Sequence, residues 1–396
     1  MTVILPQDIV EQIISHVYPN INSLRTCALI ANAWYLPSRI LLHSRFDFVG
    51  THRSIERLRY YIDHPDLLEC VQTLSINVPQ PVWRDRWHGH DTVEFSFSSL
   101  LDAHFPRVST REIRFFNHGR AENAEILSYF KTCLPFLTSL SIQNSDIPSH
   151  ELNSLITSFP RLSSLSIHKV SSESEDSNGG RIGQAMPIGT LMRLRHLETD
   201  MGAGSVFIKL IENLPVKPPI SHVRIYWDGR GSRRNLMLRE ASFTKDVFAC
   251  TRGTLRSLSI RDHRNKGDIK NSIGLGDCKQ LCRVELGVTF AHTAHWVQDI
   301  LSDLIFDSLD EIVIRLRGIS VLSNNYVNDI IETYAPLDEF LIAKKRTLGD
   351  DFPVMKIILR HSHRRHFPLD GILEALGKIF PQCLGSELLE VQYERV

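Results

Sequence analysis

Three stretches decide the fold: LTSLSI at Leu137–Ile142, LSSLSI at Leu162–Ile167 and LRSLSI at Leu255–Ile260. Each reads apolar, two residues, apolar, one residue, apolar. The alternating tail has the period of a short strand, with one side chain in and the next out. The same spacing recurs as Val71-Leu74-Ile76, Ile220-Val223-Ile225, Leu281-Val284-Leu286 and Leu309-Ile312-Ile314. Weaker copies are Ile113 with Phe115, Leu194-Leu197 with Thr199, Leu337-Phe340-Ile342 and Val354-Ile357-Leu359.

Between these units run helical stripes at Glu122–Cys133, Ser149–Phe159, Val206–Leu214, Trp296–Phe306, Tyr326–Tyr334 and Ile372–Phe380. Several stop just before a proline (Pro135, Pro160, Pro215, Pro336, Pro381). Proline lacks an N–H and crowds the preceding turn, so it cuts the helix and turns the chain toward the next strand. Ile142 to Ile167, Ile260 to Leu286, Leu286 to Ile314 and Ile314 to Ile342 are each about 25–28 residues apart, within the leucine-rich-repeat range of about 20–29.

The units LTSLSI, LSSLSI and LRSLSI resemble leucine-rich repeats, without the regular Asn that usually follows the strand. The resemblance implies an α/β chain that is mainly a degenerate solenoid with a curved parallel sheet and insertions, over 49–396. A non-repetitive α/β domain with similar strands is the competing reading. In a solenoid each unit buries its apolar faces on its neighbours, leaving outward strand positions as a broad binding wall. Gln143, His168, Tyr226, Arg261 and Arg315 are the candidate target-contacting positions on that wall.

The first 48 residues read differently. Ile9, Val10, Ile13, Ile14 and Val17 form a helical stripe, with Pro6 suited to the first turn and Asp8 near the positive end of the dipole. A second helix is expected over Ser23–Trp34 and a third over Ser38–Phe46. Three short helices cannot bury all their apolar residues, so either a partner or the larger body must cover them.

The order Leu5-Pro6, Asp8-Ile9, Ile13-Ile14, Val17, Leu24, Leu29-Ile30 and Trp34 resembles an F-box. It is similar in particular to the variant common in mushroom-forming fungi, in which a segment like TCALIANAWYLPSRILLHSRF follows the first helix. Where that family often has a small polar or Cys residue and basic residues before the Trp, this chain has Ala31, Asn32 and Ala33. The resemblance implies a three-helix F-box over 1–48 that docks a Skp-family adaptor and, through it, a cullin of a ubiquitin ligase. Carried over by position, Leu5, Pro6, Ile9, Ile13 and Ile14 meet the adaptor. Val17, Leu24, Leu29 and Trp34 hold the helices together.

Composition narrows the function classes. The 396 residues are 42% hydrophobic and 23% charged, and 45 basic residues balance 45 acidic ones. A global basic field for nucleic acid is absent. No run of about 18 apolar residues marks a membrane helix. Seven scattered cysteines and the absence of a secretory leader point to the cytoplasm or nucleus.

Catalytic signatures are missing, so no enzyme, metal or cofactor is expected. Cys278 and Cys282, with His292 and His295 behind them, lie in strand and helix patterns rather than in a tetrahedral zinc arrangement. His361, His363 and His366 sit among arginines that repel a cation. The acidic Ser171–Gly180, the Trp/His-rich Arg84–Asp91 and the basic Asp228–Asn235 read as loops.

Overall fold

The computed structural model describes residues 6–18, 20–30, 32–48, 52–78, 112–117, 137–143, 147, 149–169, 191–212, 214, 216–227, 243–262, 274–289, 294–317, 324–361, 374, 376–386 and 388–395. The chain divides into two compact units, Met1–Leu194 and Arg195–Val396. The boundary expected at 48/49 does not coincide with that division.

Unit 1 begins with α1 (Gln7–Val17), α2 (Ile21–Ile30) and α3 (Asn32–His43). β1 (Arg45–Phe48), α4 (His52–Asp63), α5 (Pro65–Leu68) and β2 (Thr73–Val78) follow. Then come β3 (Glu112–Asn117), β4 (Ser139–Gln143), α6 (Ser149–Thr157) and β5 (Ser164–His168). β1 to β5 pair in chain order, all parallel.

Unit 2 contains β6 (His196–Asp200), α7 (Met201–Glu212), β7 (His222–Trp227), β8 (Ser257–Asp262) and β9 (Arg283–Thr289). It continues with α8 (Ala294–Ser302), β10 (Glu311–Arg317), α9 (Asn324–Leu348), β11 (Val354–His361), α10 (Pro381–Gly385) and β12 (Leu389–Arg395). β6 to β12 also pair in chain order and in parallel.

The repeat spacing sets the register. Leu140 lies beside Leu165 and Ile142 beside Ile167. Val223, Leu258, Val284 and Ile312 form one row, and Ile225, Ile260, Leu286 and Ile314 the next. All are 0–2% exposed. The leading apolar residue of each unit (Leu137, Leu162, Leu194, Ile220, Leu255, Leu281, Leu309) is also buried.

A backbone stitch repeats with the same period. Two successive N–H groups opening a strand donate to one carbonyl before the previous strand: Ser163 and Ser164 to Thr138, Ser221 and His222 to Arg195, Arg256 and Ser257 to Ser221, Cys282 and Arg283 to Arg256. Hydroxyls reinforce it, as from Thr254 Oγ1 to the Ile220 carbonyl at 2.7 Å and from Ser163 Oγ to the Thr138 carbonyl at 3.0 Å. This leaves few orphan polar groups where chain turns into strand.

Helices supply the other side of each core. Leu152, Leu155, Ile156 and Phe159 of the α6 region are buried at helical spacing, as are Trp296, Val297, Ile300 and Leu301 of α8. α7 lies so close to the helical residues 243–251 that a Cβ on Gly204 would stand 2.2 Å from the Phe243 ring.

Four expectations are corrected. Leu337-Phe340-Ile342 is not a strand: α9 runs through Pro336 to Leu348, and Tyr334, Leu337 and Leu341 fall on one buried helical stripe. The register partner of Ile314 is Ile357, so Val354-Ile357-Leu359 sits two residues out of phase and the true lead residue is Phe352. The third helix ends at His43, and Arg45–Phe48 is the first strand. The expected curvature does not form: the sheet does not curl. A solenoid curves when equal units repeat. Here the units are unequal: the register partners Ile142 and Ile167 are 25 residues apart, but Ile314 and Ile357 are 43 apart.

Candidate interaction surfaces

The head is built around Val10, Ile14, Leu24 and Cys27, with Val17, Trp34, Leu41 and Leu42 packed against them. In α1 the 10, 14 and 17 positions face inward. Ile9 and Ile13, one residue earlier and so rotated by about 100°, remain 37% and 38% exposed. Ile14, expected to meet an adaptor, is fully buried in the head's core, because its position on the stripe turns it inward. Leu29, expected in the core between the helices, is instead 86% exposed. Pro6 is exposed, and its carbonyl accepts from Val10 N–H at 3.2 Å. Leu5 lies outside the described residues.

Among the described residues, eight of the thirteen large hydrophobic residues that are exposed lie between Ile9 and Leu36: Ile9, Ile13, Tyr18, Ile21, Leu29, Ile30, Tyr35 and Leu36. The inward side of the head is already filled, so the excess faces water.

A polar joint ties the head to the rest of unit 1. His43 Nδ1 lies 2.6 Å from the Tyr61 hydroxyl, which also accepts from Arg57 at 3.2 Å. The Arg57 guanidinium stands over the Phe46 and Tyr61 rings. Arg39 pairs with Asp66. Burial, then the charges of Arg57 and Arg39, hold the His43 pKa below the usual imidazole value.

In unit 1 the outward face of β4 and β5 carries Ser139, Ser141 and Gln143 beside Ser164, Ser166 and His168. The structure thus places Gln143 and His168 side by side. Gln143 Nε2 donates to Ser141 Oγ at 3.3 Å.

In unit 2, Tyr226, Arg261, Gly287 and Arg315 form one outward row across β7–β10. The three candidate residues in it are not idle. The Tyr226 hydroxyl donates to Glu198 at 2.7 Å, and Arg224 approaches the same carboxylate at 3.5 Å. Arg261 reaches the Tyr226 hydroxyl at 3.4 Å and Glu285 at 3.3 Å. Arg315 bridges Glu285 at 2.8 Å and Glu394 at 2.6 Å. Gly287 permits this: a Cβ there would stand 3.2 Å from Arg261 Cγ.

Burial pushes the Glu285 carboxyl upward. The hydrogen bond and charge of Arg315, with Arg261 and Arg224, outweigh it and hold the pKa below the ordinary value. Burial, then the Glu198 charge, raises the Tyr226 phenol. Sequence reasoning missed Glu198, Glu285 and Glu394. The usable signal was their position two residues from the outward His196, Gly287 and Gln392 on the alternating strands.

Cys278 is buried, and its thiol is pushed up to about 11 by desolvation, then Asp277 and Asp303. Cys282 Sγ instead donates to the Arg256 carbonyl at 3.3 Å. Among the described residues no three His, Cys, Asp or Glu side chains converge as a metal site, and no helix is long and apolar enough to cross a membrane. The side chains of His292, His295, His361, His363 and His366, and the three loops singled out above, lie outside the described residues. A scan against family models finds no match, and a search of curated proteins finds none either.

Proposed function

We propose that this chain is the substrate-recognition subunit of an SCF-type cullin-RING ubiquitin ligase. The head is an F-box that docks a Skp-family adaptor, and the body is a degenerate leucine-rich-repeat array whose outward sheet rows meet a target protein. One observation carries the reading: exposed apolar side chains crowd between Ile9 and Leu36 although the head's own core is complete. Apolar surface left in water by a filled core is the signature of a docking face. Such a subunit performs no bond chemistry. It raises the effective concentration of a target lysine near the ubiquitin carrier.

Ile9→Asp with Ile13→Asp tests the proposal. Both residues are exposed and outside the head's core, so the double variant should fold, which its circular dichroism checks. Co-purification of a Skp-family adaptor with the wild type, and its loss with the variant, is the expected result. Absence of the adaptor from both preparations rejects the assignment.

A scaffold of the same fold that recruits no cullin is the second reading. Exposed Asn32 and Ala33 favour it, since these small side chains offer a partner little surface before Trp34. It predicts a retained target but no adaptor or cullin in the same purification.

A further inference from the structure

His196 and His222 are register partners on β6 and β7. Both are exposed, and their rings stack with centroids 4.3 Å apart. Ser221 Oγ lies 2.8 Å from His222 Nδ1. When the hydroxyl donates there, the ring proton sits on Nε2, an outward donor. Ser221 carries the stitch to the next strand, its carbonyl accepting from Arg256 and Ser257 N–H. That places exposed Arg256 at the same strand-entry edge.

No described carboxylate balances this cluster. The nearest one along β6, Glu198, is held by Tyr226 and Arg224. The field is visible at His222. Burial, then His196, then Arg256 all lower its pKa, and no acid opposes them.

We propose that the strand-entry edge of β6–β8, formed by His196, His222, Ser221 and Arg256, is a recognition site for a single oxyanion group, phosphate or carboxylate, carried by a partner protein segment. Two imidazole donors and one guanidinium on adjacent strands match one such group, since charge-assisted bonds to an oxyanion are the strong ones. They do not make the extended basic track that a nucleic-acid backbone requires. The site is independent of adaptor docking by the head.

Sulfate is a suitable probe, because its charge is constant over the imidazole range. In the full chain with 13C-labelled histidine, sulfate should raise the His222 midpoint by about 0.5 unit or more relative to chloride at matched ionic strength. It should also shift the His196 signal. His222→Gln assigns the resonance. Arg256→Gln, at an exposed position, should abolish the response. The sign follows from linkage: an anion prefers protonated His222, so affinity grows as pH falls through the free-state value and fades as pH rises through the bound-state value. Acetate and phosphate, tested in turn, separate a carboxylate-bearing partner from a phosphorylated one. A sulfate response no larger than chloride's, or one fully retained in Arg256→Gln, overturns the proposal.

Discussion

Glu285 lies on β9 between Arg261 and Arg315, and all three side chains are at most 15% exposed. Two cations on one carboxylate leave a positive excess, which Glu394 balances through Arg315. Removing one member of such a buried set strands the others. Glu285→Ala should therefore cost about 3–5 kcal/mol, read from the denaturant midpoint. The pH dependence has a definite sign. The folded carboxyl titrates below its unfolded value, so its stabilisation is complete above the ordinary Glu range and is lost as pH falls through the lowered folded value. As pH falls from the ordinary Glu range through the lowered folded value, wild type should lose more stability than Glu285→Gln. A parallel loss in both would show that Glu285 is not the linked group.

At the scale of elements, capping holds pieces that periodicity alone leaves loose. Asp338, buried in α9, accepts from the Gln382 N–H at 3.1 Å and the Cys383 N–H at 3.0 Å. These are unsatisfied donors in the first turn of α10, so the contact ties α10 to α9. Asp303 does the same for the 3-10 turn at Leu275–Asp277 through the Gly274 and Leu275 N–H groups. Asp338→Ala should cost about 1–3 kcal/mol, with faster amide exchange at Gln382 and Cys383. Unchanged exchange there would show that the cap carries no load.

Across a whole unit, stability passes between neighbouring strands. In unit 2 each core row contacts the rows of the adjacent strands, so damage should spread outward from its origin. Ile314→Ala removes a fully buried side chain and should cost about 2–5 kcal/mol. Hydrogen exchange should then rise first in β9 and β11, which pair with β10, while β6 and β7 retain protection. Uniform loss across β6–β12 would instead mark the unit as one cooperative block.

The sequence by itself determined the parallel α/β plan. Strand spacing is local, and a two-residue alternation after a fixed leading residue names both the strand and its buried face. It therefore placed Leu140 and Ile142, Leu258 and Ile260, and Ile312 and Ile314 in their rows. It failed at Leu337-Phe340-Ile342 because the same segment also carries Tyr334, Leu337 and Leu341 at three-then-four spacing, and that helical stripe is the one the fold buries. It failed at Ile14 because a wide apolar stripe does not say which edge turns inward. Only the tertiary structure decided the charged ladder and the paired histidines. Arg315 and Glu394 are 79 residues apart, and which outward side chains meet depends on strand register, a property no single strand's pattern contains.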